Sequence, residues 1–529
     1  MHRPSLEEAK KLKQQGNLLP VYREINADLE TPVSAYLKIA SGDYSFLLES
    51  VEGGERLARY SFLGTEPARV LTTTKAPPHL DPLPRRGEVK EEGDPLLGVE
   101  EEFKKYRSVP IEGLPRFHGG MVGYLSYEVA RYFEKLPSPE KDPLNLPEAK
   151  LMLADTLLIF DHLTHKIKVV SHARLDGDIE KSYKEATEKI DRLVERLKKP
   201  VPEEKLMAVG GKALRQAQDR ALQHGSAELT TRVQGKALQH GSAELTTRVQ
   251  GKAGEAKANL TQAEYEEIVR KMKQHIYDGD IIQGVPSLRV AKPTKASPLA
   301  IYRALRSINP SPYMYFLHLG EFYIVGASPE LLVRVEDGIV SNHPIAGTRA
   351  RGKDNKQDKA LEEELKNDEK ERAEHVMLVD LARNDVGRIS EPGTVQVTQF
   401  MDIEKYSHVM HLVSHVQGKL REGLTQYDAL RACFPAGTVS GAPKIRAMEI
   451  IAELEPDKRG PYAGAVGYFD FRGNIDTAIA IRTIIVKDGT AYVQAGAGIV
   501  ADSVPANEYR ECLNKMQALL AAIDQAEGG

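Results

Sequence analysis

Short apolar runs separated by glycine and proline dominate the first third of the chain. Between residues 18 and about 172, runs such as 44–48 have the length and spacing typical of β-strands joined by turns. Residues 180–199 are instead highly charged, with apolar residues at helical spacing, and Pro200 ends that pattern. The pattern predicts a sheet-rich N-terminal region over residues 18–199, followed by a domain boundary.

A perfect tandem duplication follows this region. Residues 221–236 recur unchanged as residues 237–252. A solenoid needs at least three repeats that stack apolar faces, and these two copies are polar with few large side chains. We therefore interpret residues 200–258 as an inserted surface linker without catalytic function. Such an insertion is tolerated because the entropy of closing a loop grows only slowly with its length.

Helix and strand patterns resume after the linker. Helical spacing predicts helices over residues 262–277, 356–382 and 506–522. Short apolar runs predict strands, among them 323–326 and 491–494. This second region contains both periodicities, so helices and strands are expected to pack on each other there.

Turn and cap signals decide the fold class. Thr261 and Glu264 form a capping box, which predicts that a helix begins at residue 262. The Asp-Gly dipeptides at 337–338 and 488–489 predict tight hairpins between antiparallel strands, rather than repeated βαβ crossovers. The predicted class is α+β, with a catalytic region over residues 259–520.

Composition narrows the class of protein. A chain of 529 residues with 41% hydrophobic content exceeds one hydrophobic core, so two domains or subdomains are expected. No apolar stretch is long enough to cross a bilayer, and residues 1–15 have no apolar signal region, so we expect a cytoplasmic protein without a membrane anchor. A formal charge of -4 with both signs interspersed argues against nucleic acid as a partner. Two cysteines, Cys433 and Cys512, exclude a disulfide framework.

Two pairs of carboxylates are the strongest metal signal. Glu371 and Glu374 are three residues apart in one predicted helix, and Glu508 and Glu511 repeat that spacing in another, so each pair shares one helix face. An apolar run, 376–379, follows the first pair and indicates that this helix enters the core. Four such carboxylates would repel each other unless a cation lay between them, and their hard oxygen atoms favour Mg²⁺ over zinc.

Glycines and hydroxyls mark two candidate anion sites. Gly496 and Gly498 follow an apolar strand, where they either let backbone N–H groups approach an anionic ligand or form a plain tight turn. Their match to the dinucleotide pattern is weak, because residues 502–505 delay the next helix. The segment 437–444 places hydroxyls and Lys444 at the start of a predicted helix, which is typical of an anion site.

Arg482 is a further candidate for binding a carboxylate. It ends a strand-like apolar run, 478–481, where a charged side chain is unfavourable without a partner. A carboxylate of a substrate or a structural aspartate could each supply that partner.

Four motifs carry a family resemblance. They are residues 373–385 (AEHVMLVDLARND), 406–414 (YSHVMHLVS), 437–444 (GTVSGAPK) and 494–505, which joins QAGAG to DSVP. In this order they closely resemble anthranilate synthase component I, a family of chorismate-utilising enzymes. The match runs from about residue 18 to 516, broken only by the linker. It implies two packed antiparallel sheets flanked by helices, with Mg²⁺ and chorismate between them.

The same resemblance implies how metal and substrate are held. Glu374 and Glu511 are similar to the family's Mg²⁺ ligands, with Glu371 and Glu508 as their companions behind the metal. The residues that resemble the holders of the enolpyruvyl carboxylate are Arg482, Tyr462 and the Gly498 backbone.

The implied reaction gives roles to three more side chains. Glu330 resembles the general acid that protonates the departing hydroxyl, which is typically worth ~10²–10⁴ in rate. Ammonia then attacks the ring, and loss of a proton with the enolpyruvyl group yields anthranilate and pyruvate. Thr438 and His411 would lie against the ring side, and His411 resembles a residue needed for the elimination.

Two positions separate this chain from other members of the family. Relatives that make isochorismate or salicylate carry a lysine in place of Gln283, where it activates water. Aminodeoxychorismate synthases carry a nucleophilic lysine in place of Ala346. Both substitutions favour direct use of ammonia. Gly284 departs from the family, whose members usually have a branched apolar residue there.

The resemblance also implies a protein partner and an effector. Neither cysteine lies in a nucleophile motif such as G-x-C-x-G, so ammonia is expected from a separate glutamine amidotransferase subunit. Residues 47–50 and 309–314 resemble the two sides of the family's tryptophan site, which implies feedback inhibition by L-tryptophan. The candidate effector contacts are Glu49, Ser50, Pro312, Tyr313 and Met314.

Two other functions stay open at this point. Aminodeoxychorismate synthase component I is the alternative within the family. A non-catalytic protein that only senses tryptophan or chorismate is the alternative from another class, although a sensor has no need of an acid such as Glu330.

Overall fold

Short strands form most of the first part of the molecule. The computed structural model describes residues 1–50, 59–73, 88–91, 93–208, 256–406 and 409–528, so the duplication lies outside the described residues. The strands before residue 209 are β1 (Leu18–Asn26), β2 (Tyr44–Glu49), β3 (Tyr60–Thr65), β4 (Arg69–Thr73), β5 (Glu88–Glu91), β6 (Gly120–Leu125), β7 (Ala149–Ala154), β8 (Thr156–Asp161) and β9 (Lys166–Arg174).

The strands after the linker include both predicted hairpins. They are β10 (Lys257–Ala258), β11 (Gln283–Gly284), β12 (Ser287–Pro293), β13 (Tyr313–Leu319), β14 (Phe322–Ser328), β15 (Leu331–Glu336), β16 (Ile339–Asn342), β17 (Ile345–Ala350), β18 (Gln396–Lys405), β19 (Val409–Lys419), β20 (Gly441–Ala442), β21 (Ala465–Asp470), β22 (Ile475–Ile479), β23 (Thr483–Lys487) and β24 (Thr490–Gly496). Asp337 and Gly338 have φ of 48° and 78°, and Asp488 and Gly489 have φ of 48° and 69°. A two-residue β-hairpin with a type I′ turn requires positive φ at both central residues, as is found in both turns.

The helices confirm one predicted boundary and correct another. They are α1 (Leu6–Leu12), α2 (Pro32–Ile39), α3 (Pro95–Phe103), α4 (Ile179–Lys198), α5 (Glu203–Ala208), α6 (Gln262–Tyr277), α7 (Pro298–Ile308), α8 (Asn355–Asn367), α9 (Glu369–Ile389), α10 (Gln426–Cys433), α11 (Gly437–Ser440), α12 (Lys444–Leu454) and α13 (Pro505–Gly528). The Thr261–Glu264 capping box begins α6 as predicted.

The helix predicted over 356–382 is wrong as a single element. Asp368 divides it into α8 and α9, because its carboxylate accepts hydrogen bonds from the backbone N–H groups of Lys370 and Glu371, both at 3.1 Å. The new N-terminus places Glu371 in the first turn of α9. The break therefore sets where the first glutamate pair begins.

The two large sheets are each shared by both halves of the chain. Among the described residues each has eleven strands. The spatial order in the first sheet is β1-β9-β8-β3-β2-β13-β14-β23-β24-β12-β10. In the second sheet it is β17-β19-β16-β15-β22-β21-β6-β7-β4-β5, with β18 paired to β19. The contacts β2–β13 and β6–β21 join residues before the linker to residues after it.

The sheets pack face to face and helices cover their outer faces. One apolar cluster contains side chains of both sheets, such as Phe46 and Ile324 from the first and Val122 and Val466 from the second. A second cluster packs α2, α4, α6, α7, α12 and α13 on the first sheet, and a third packs α3, α9 and α10 on the second. This confirms the predicted α+β class of two packed antiparallel sheets flanked by helices. Within the described ranges, no helix is long and apolar enough to cross a membrane.

Candidate active site

Four neighbouring strands of the first sheet meet at one edge, and most predicted site residues lie there. The register places the carboxyl ends of β14 and β24 beside the amino ends of β23 and β12. Glu330 follows β14, Arg482 precedes β23 and Gly496 ends β24. Helices α9 and α13 bring the two glutamate pairs near each other. Their proximity is seen in the electrostatic effect of Glu511 on the carboxyl of Glu374.

The glutamates of α9 and α13 form a cluster of mutually repelling carboxyl groups. Burial raises the pKa of Glu374, and the negative charges of Glu371 and Glu511 raise it further. Burial likewise raises the pKa of Glu508, with Glu511 adding to the effect. Against this, Gln283 donates from Nε2 to Oε1 of Glu374 at 3.3 Å. The donor set is purely oxygen and negative, which suits a hard divalent cation.

Two side chains of the protein itself neutralise the outer members of the cluster. Arg349 Nη1 lies 3.2 Å from Oε1 of Glu371, and Lys515 Nζ lies 2.7 Å from Oε1 of Glu511. In the described ranges, no group of three or more His, Cys, Asp or Glu side chains is arranged to hold a metal ion. The structure thus brings the four glutamates together without forming a complete set of ligands.

Lys515 is the site residue that sequence reasoning missed. Its Nζ also donates to the Gly496 carbonyl at 2.9 Å. Its positive charge offsets part of the rise in pKa that burial causes at Glu330 and Glu374. It lies four residues after Glu511 on the same helix face. That spacing is the signal that could have identified it.

Gly496 and Gly498 allow the close approach of backbone and side chains. A Cβ at Gly498 would lie 2.7 Å from Nε2 of Gln283, and one at Gly496 would lie 3.0 Å from Oη of Tyr462. Neither glycine has a positive φ, so space rather than a turn requires them. The next helix begins only at Pro505, which excludes the dinucleotide pattern.

Arg482 is a cation of the candidate site that has no acidic partner within the described residues. Its Nη1 donates to the Lys515 carbonyl at 3.0 Å, and no ion pair of the described residues includes it. Burial lowers its pKa, while Tyr462 and Glu511 raise it. Its φ of 51° is unusual for a residue with a side chain and is typical of functional positions. A structural aspartate therefore does not fill the role of partner within the described chain.

Glu330 is a buried carboxyl that keeps its proton near neutral pH. Burial raises its pKa to about 8, opposed by the hydroxyl of Thr438 and the charge of Lys515. Thr438 donates from Oγ1 to Oε1 of Glu330 at 3.0 Å. The turn is held by Ser328, whose Oγ donates to the Ile479 carbonyl at 2.7 Å. This geometry can deliver a proton to a bound group.

His411 is a neutral imidazole with one nitrogen available as an acceptor. Its Nδ1 donates to the Gly347 carbonyl at 3.2 Å and contacts Oγ1 of Thr348 at 3.0 Å. Burial lowers its pKa, and the charge of Arg482 lowers it further. Since Nδ1 carries the proton, Nε2 is the nitrogen that can accept one.

Lys444 lies apart from this cluster. Its Nζ donates to Oδ2 of Asp385 at 2.7 Å, and the two side chains are 11% and 7% exposed. Its charge is therefore neutralised by the protein, and the structure does not bring it to the glutamates. The pair instead joins α12 to α9.

Gly284, the departure from the family, has a packing explanation. A Cβ there would lie 2.3 Å from Sδ of Met272, a buried residue of α6. Methionine adapts to irregular gaps and fills the space that a branched side chain would occupy. The strand beside Gln283 is thus packed from the helix side.

A cavity lies between the two sheets, where the candidate effector residues meet. This inter-sheet cavity of about 530 Å³ is lined by all five candidate effector residues, together with residues of the second sheet such as Arg334 and Asp476. The two segments meet because β2 pairs with β13, which sets Glu49 opposite Met314. Arg334 of the second sheet donates hydrogen bonds to Oδ2 of Asp476 at 3.0 Å and to Oη of Tyr313 at 2.9 Å, so it connects the two sheets across the cavity wall.

Glu49 serves a structural function in that wall. Its carboxylate accepts hydrogen bonds from Tyr302 and from Nε of Arg306 at 3.1 Å, both on α7. The Glu49 side chain is therefore held against α7. Its backbone is the last residue of β2, the strand that lines the cavity next to Ser50.

Comparison with known proteins gives one consistent result. The family model described as chorismate binding enzyme matches residues 43–521. The chain is 47% identical to anthranilate synthase component 1 of Acetivibrio thermocellus, over 99% of each chain. It is also 47% identical to anthranilate synthase component 1 of Pseudomonas aeruginosa, over 98% of this chain and 99% of the other.

Solved structures agree with these relatives. The crystal structure of anthranilate synthase component I from Streptococcus pneumoniae matches with a TM-score of 0.71 and 36% identity, covering 94% of this chain and 98% of the other. The menaquinone-specific isochorismate synthase of Escherichia coli shares the fold, with a TM-score of 0.65 at 17% identity and 98% coverage of both chains.

Proposed function

This chain belongs to the chorismate-binding enzymes and to their anthranilate synthase component 1 branch, and we propose that the site at the edge of the first sheet converts chorismate and ammonia to anthranilate, pyruvate and water. The observation that carries this proposal is that a proton donor, Glu330, and a cation that can bind a carboxylate, Arg482, lie in the same site. Glu330 is a protonated carboxyl, and Arg482 is a cation that has no acidic partner among the described residues. Chorismate offers a leaving hydroxyl to the first and a carboxylate to the second.

The four glutamates are the residues that would hold Mg²⁺. The charge of Glu511 on α13 acts on Glu374 on α9, so these two would be the direct ligands, with Glu371 and Glu508 behind them. When bound, the ion supplies positive charge that holds the ring carboxylate. The repulsion among these carboxyl groups, and the all-oxygen donor set, support this assignment.

The enolpyruvyl carboxylate would bind at the opposite side of the site. Arg482 supplies the charge, Tyr462 supplies a hydroxyl, and Gly498 supplies a backbone that a side chain would block. Tyr462 is buried beside Gly496, so a carboxylate bound against it would be partly removed from water. Exclusion of water strengthens a guanidinium–carboxylate interaction.

Proton transfers follow from the protonation states of two residues. Glu330 donates its proton to the ring hydroxyl, which leaves as water while ammonia bonds to the ring. Thr438 stabilises the resulting Glu330 carboxylate through its 3.0 Å hydrogen bond. In the second step the ring loses a proton, the C–O bond to the enolpyruvyl group breaks, and the released enolpyruvate takes up a proton at its methylene carbon to become pyruvate. His411 is neutral and has Nε2 free to accept a proton at that stage.

Ammonia would come from a separate glutamine amidotransferase subunit. Cys433 and Cys512 are both buried, and burial raises the pKa of each thiol, that of Cys512 to about 12. A thiol with a raised pKa is a poor nucleophile. Neither cysteine is suited to hydrolyse glutamine.

L-Tryptophan would act as a feedback inhibitor at the inter-sheet cavity. The cavity is closed on one side by β2 and β13 and on the other by the second sheet. Pro312 and Met314 offer apolar contacts, and Ser50 offers a hydroxyl for the amino group of the effector. Both sheets also carry residues of the active site, so an effector between them is placed to act on catalysis.

Product identification tests the proposed function. Purified protein incubated with chorismate, Mg²⁺ and ammonium should form fluorescent anthranilate, and omission of ammonium should prevent it. Formation of aminodeoxychorismate without anthranilate would instead identify the alternative within the family. Absence of turnover together with saturable tryptophan binding would identify a sensor.

A further inference from the structure

Arg459 lies behind the active site and is among the largest fully buried side chains of the molecule. Only 1% of its surface is exposed. Its Nε and Nη2 donate to the two carboxylate oxygens of Glu455 at 2.9 Å and 2.7 Å. This is a bidentate pair, which fixes the plane of the guanidinium group.

The remaining donors of Arg459 reach two backbone segments of the site. Nη1 donates to the Val439 carbonyl at 2.8 Å, and Nη2 donates to the Val285 carbonyl at 2.6 Å. Val439 directly follows Thr438, whose hydroxyl binds Glu330. Val285 lies two residues after Gln283, whose amide binds Glu374. One guanidinium group therefore holds the backbone on both sides of the site.

Aromatic and polar contacts extend this network. The guanidinium carbon lies over the ring of Tyr127 at 4.5 Å and near the ring of Tyr462 at 5.7 Å. Glu455 also accepts hydrogen bonds from the backbone N and Oγ of Ser287 at 2.7 Å and 2.9 Å, at the start of β12. The pair thus contacts the segment of Thr438, which hydrogen-bonds the acid, the segment of Gln283, and the ring of Tyr462.

We propose that Arg459 is a positioning residue that sets the placement of Thr438 and Gln283 relative to Glu330 and Glu374. It is too buried to contact substrate and acts through the Val439 and Val285 carbonyls. The inference rests on the proposed function, because its readout is the anthranilate reaction. Wild-type turnover is measured first, so that failure of the proposed function is recognised before any variant is interpreted.

The test replaces Arg459 by lysine and uses a matched control. Arg459→Lys keeps the charge beside Glu455 but cannot reach a carboxylate and two carbonyls in one plane. Arg289→Lys is the control. Arg289 is 5% exposed, pairs with Asp457 at 2.8 Å and donates to the Lys458 carbonyl at 3.0 Å, and none of its hydrogen bonds within the described residues reaches Val439 or Val285.

The expected result separates positioning from stability. Arg459→Lys should lower kcat by roughly a hundredfold, since a displacement of about 1 Å can have that effect. The KM for chorismate should change much less. The alkaline limb of the pH profile should move to higher pH, because Glu330 loses the Thr438 hydrogen bond that lowers its pKa while Lys515 still acts on it. Arg289→Lys should keep the wild-type limb and kcat.

A double-mutant cycle tests whether the effect passes through Thr438. Thr438→Val should reduce kcat strongly in the wild type and much less in Arg459→Lys, because coupled residues are not additive. If Arg459→Lys does not fold, Arg459→Gln with Glu455→Gln removes both charges together and is measured in the same way. Wild-type kcat and an unmoved alkaline limb in either variant would overturn the proposal. So would failure of both to fold while Arg289→Lys folds, because Arg459 would then be structural only.

Discussion

The proposed active site and the inter-sheet cavity differ in how their central charged side chains are partnered. In the active site Arg482 has no acidic partner within the described residues, and Glu330 is buried with a raised pKa. In the inter-sheet cavity Arg334 is paired with Asp476, and Glu49 is paired with Arg306. Unpaired buried charge is unfavourable for folding and is typical of chemistry. The paired charges of the cavity are satisfied within the protein and fix the positions of its wall.

The largest effect is expected at the glutamate cluster. Glu374→Gln or Glu511→Gln should abolish Mg²⁺-dependent turnover, because each removes a proposed ligand and its charge. The fold should survive, since both lie among repelling carboxyl groups whose loss relieves repulsion. Circular dichroism and anthranilate formation measured across a Mg²⁺ titration would check this. Glu362→Gln on α8, an acidic residue paired with Lys366, is the control; full activity in either test variant would remove that glutamate from the site.

Loss of the acid should have the next largest effect. Glu330→Gln should lower kcat by ~10²–10⁴, the usual contribution of general acid catalysis. Wild-type activity should fall as pH rises through about 8, because Glu330 acts in its protonated form. The variant cannot titrate there, so its profile should lose that limb. A variant that keeps the limb would show that another group provides the proton.

Removing the unpartnered cation should affect both binding and turnover. Arg482→Ala should raise KM and lower kcat, with a loss of about 2–5 kcal/mol in transition-state stabilisation, as is typical when one side of a buried charge pair is truncated. Steady-state kinetics with varied chorismate would measure it. An unchanged kcat/KM would show that the substrate carboxylate binds elsewhere.

A change in the inter-sheet cavity should leave catalysis alone and weaken inhibition. Ser50→Ala or Ser50→Phe should raise the inhibitory concentration of L-tryptophan by about ten- to a hundredfold, the effect of losing one hydrogen bond to a charged group. Uninhibited turnover should change little. Because the chain contains no tryptophan, fluorescence of the added effector reports binding without background. Variants as sensitive as wild type would separate the cavity from inhibition.

The smallest effect is expected outside both sites. Deletion of residues 237–252, one copy of the duplication, should leave ammonia-dependent activity and Tm nearly unchanged, because that segment is polar with few large side chains to pack. Activity assays and thermal melts would test it. A fall in Tm of many degrees would show that the duplicated segment packs on the rest of the molecule.

Local signals explain what the sequence predicted well. The bounds of α6 follow from a capping box and a clear apolar period, and both hairpins follow from Asp-Gly dipeptides. The glutamate pairs are visible because two helical spacings place them. These features depend on residues that are near each other in the chain.

Some missed features depend on residues that are distant in the chain, and others on local signals that allow more than one structure. Arg349 reaches Glu371 from β17, and Arg459 contacts segments more than a hundred residues earlier. The break at Asp368 was missed because an aspartate can occupy either a helix interior or a cap, and here its side chain caps α9. No periodicity in the chain indicates that Lys444 pairs with Asp385 rather than facing the site.

The sharing of both sheets has a consequence for synthesis of the protein. Leu125 of β6 pairs with Ala465 of β21, about 340 residues later. Since the ribosome adds roughly 5–20 residues per second, β21 is synthesised on the order of half a minute after β6. During that time the inner edges of β2 and β6 are unpaired and open to association with other chains. The nascent N-terminal half should therefore be an early substrate for chaperones, and fragments cut between the halves should recover structure only when mixed.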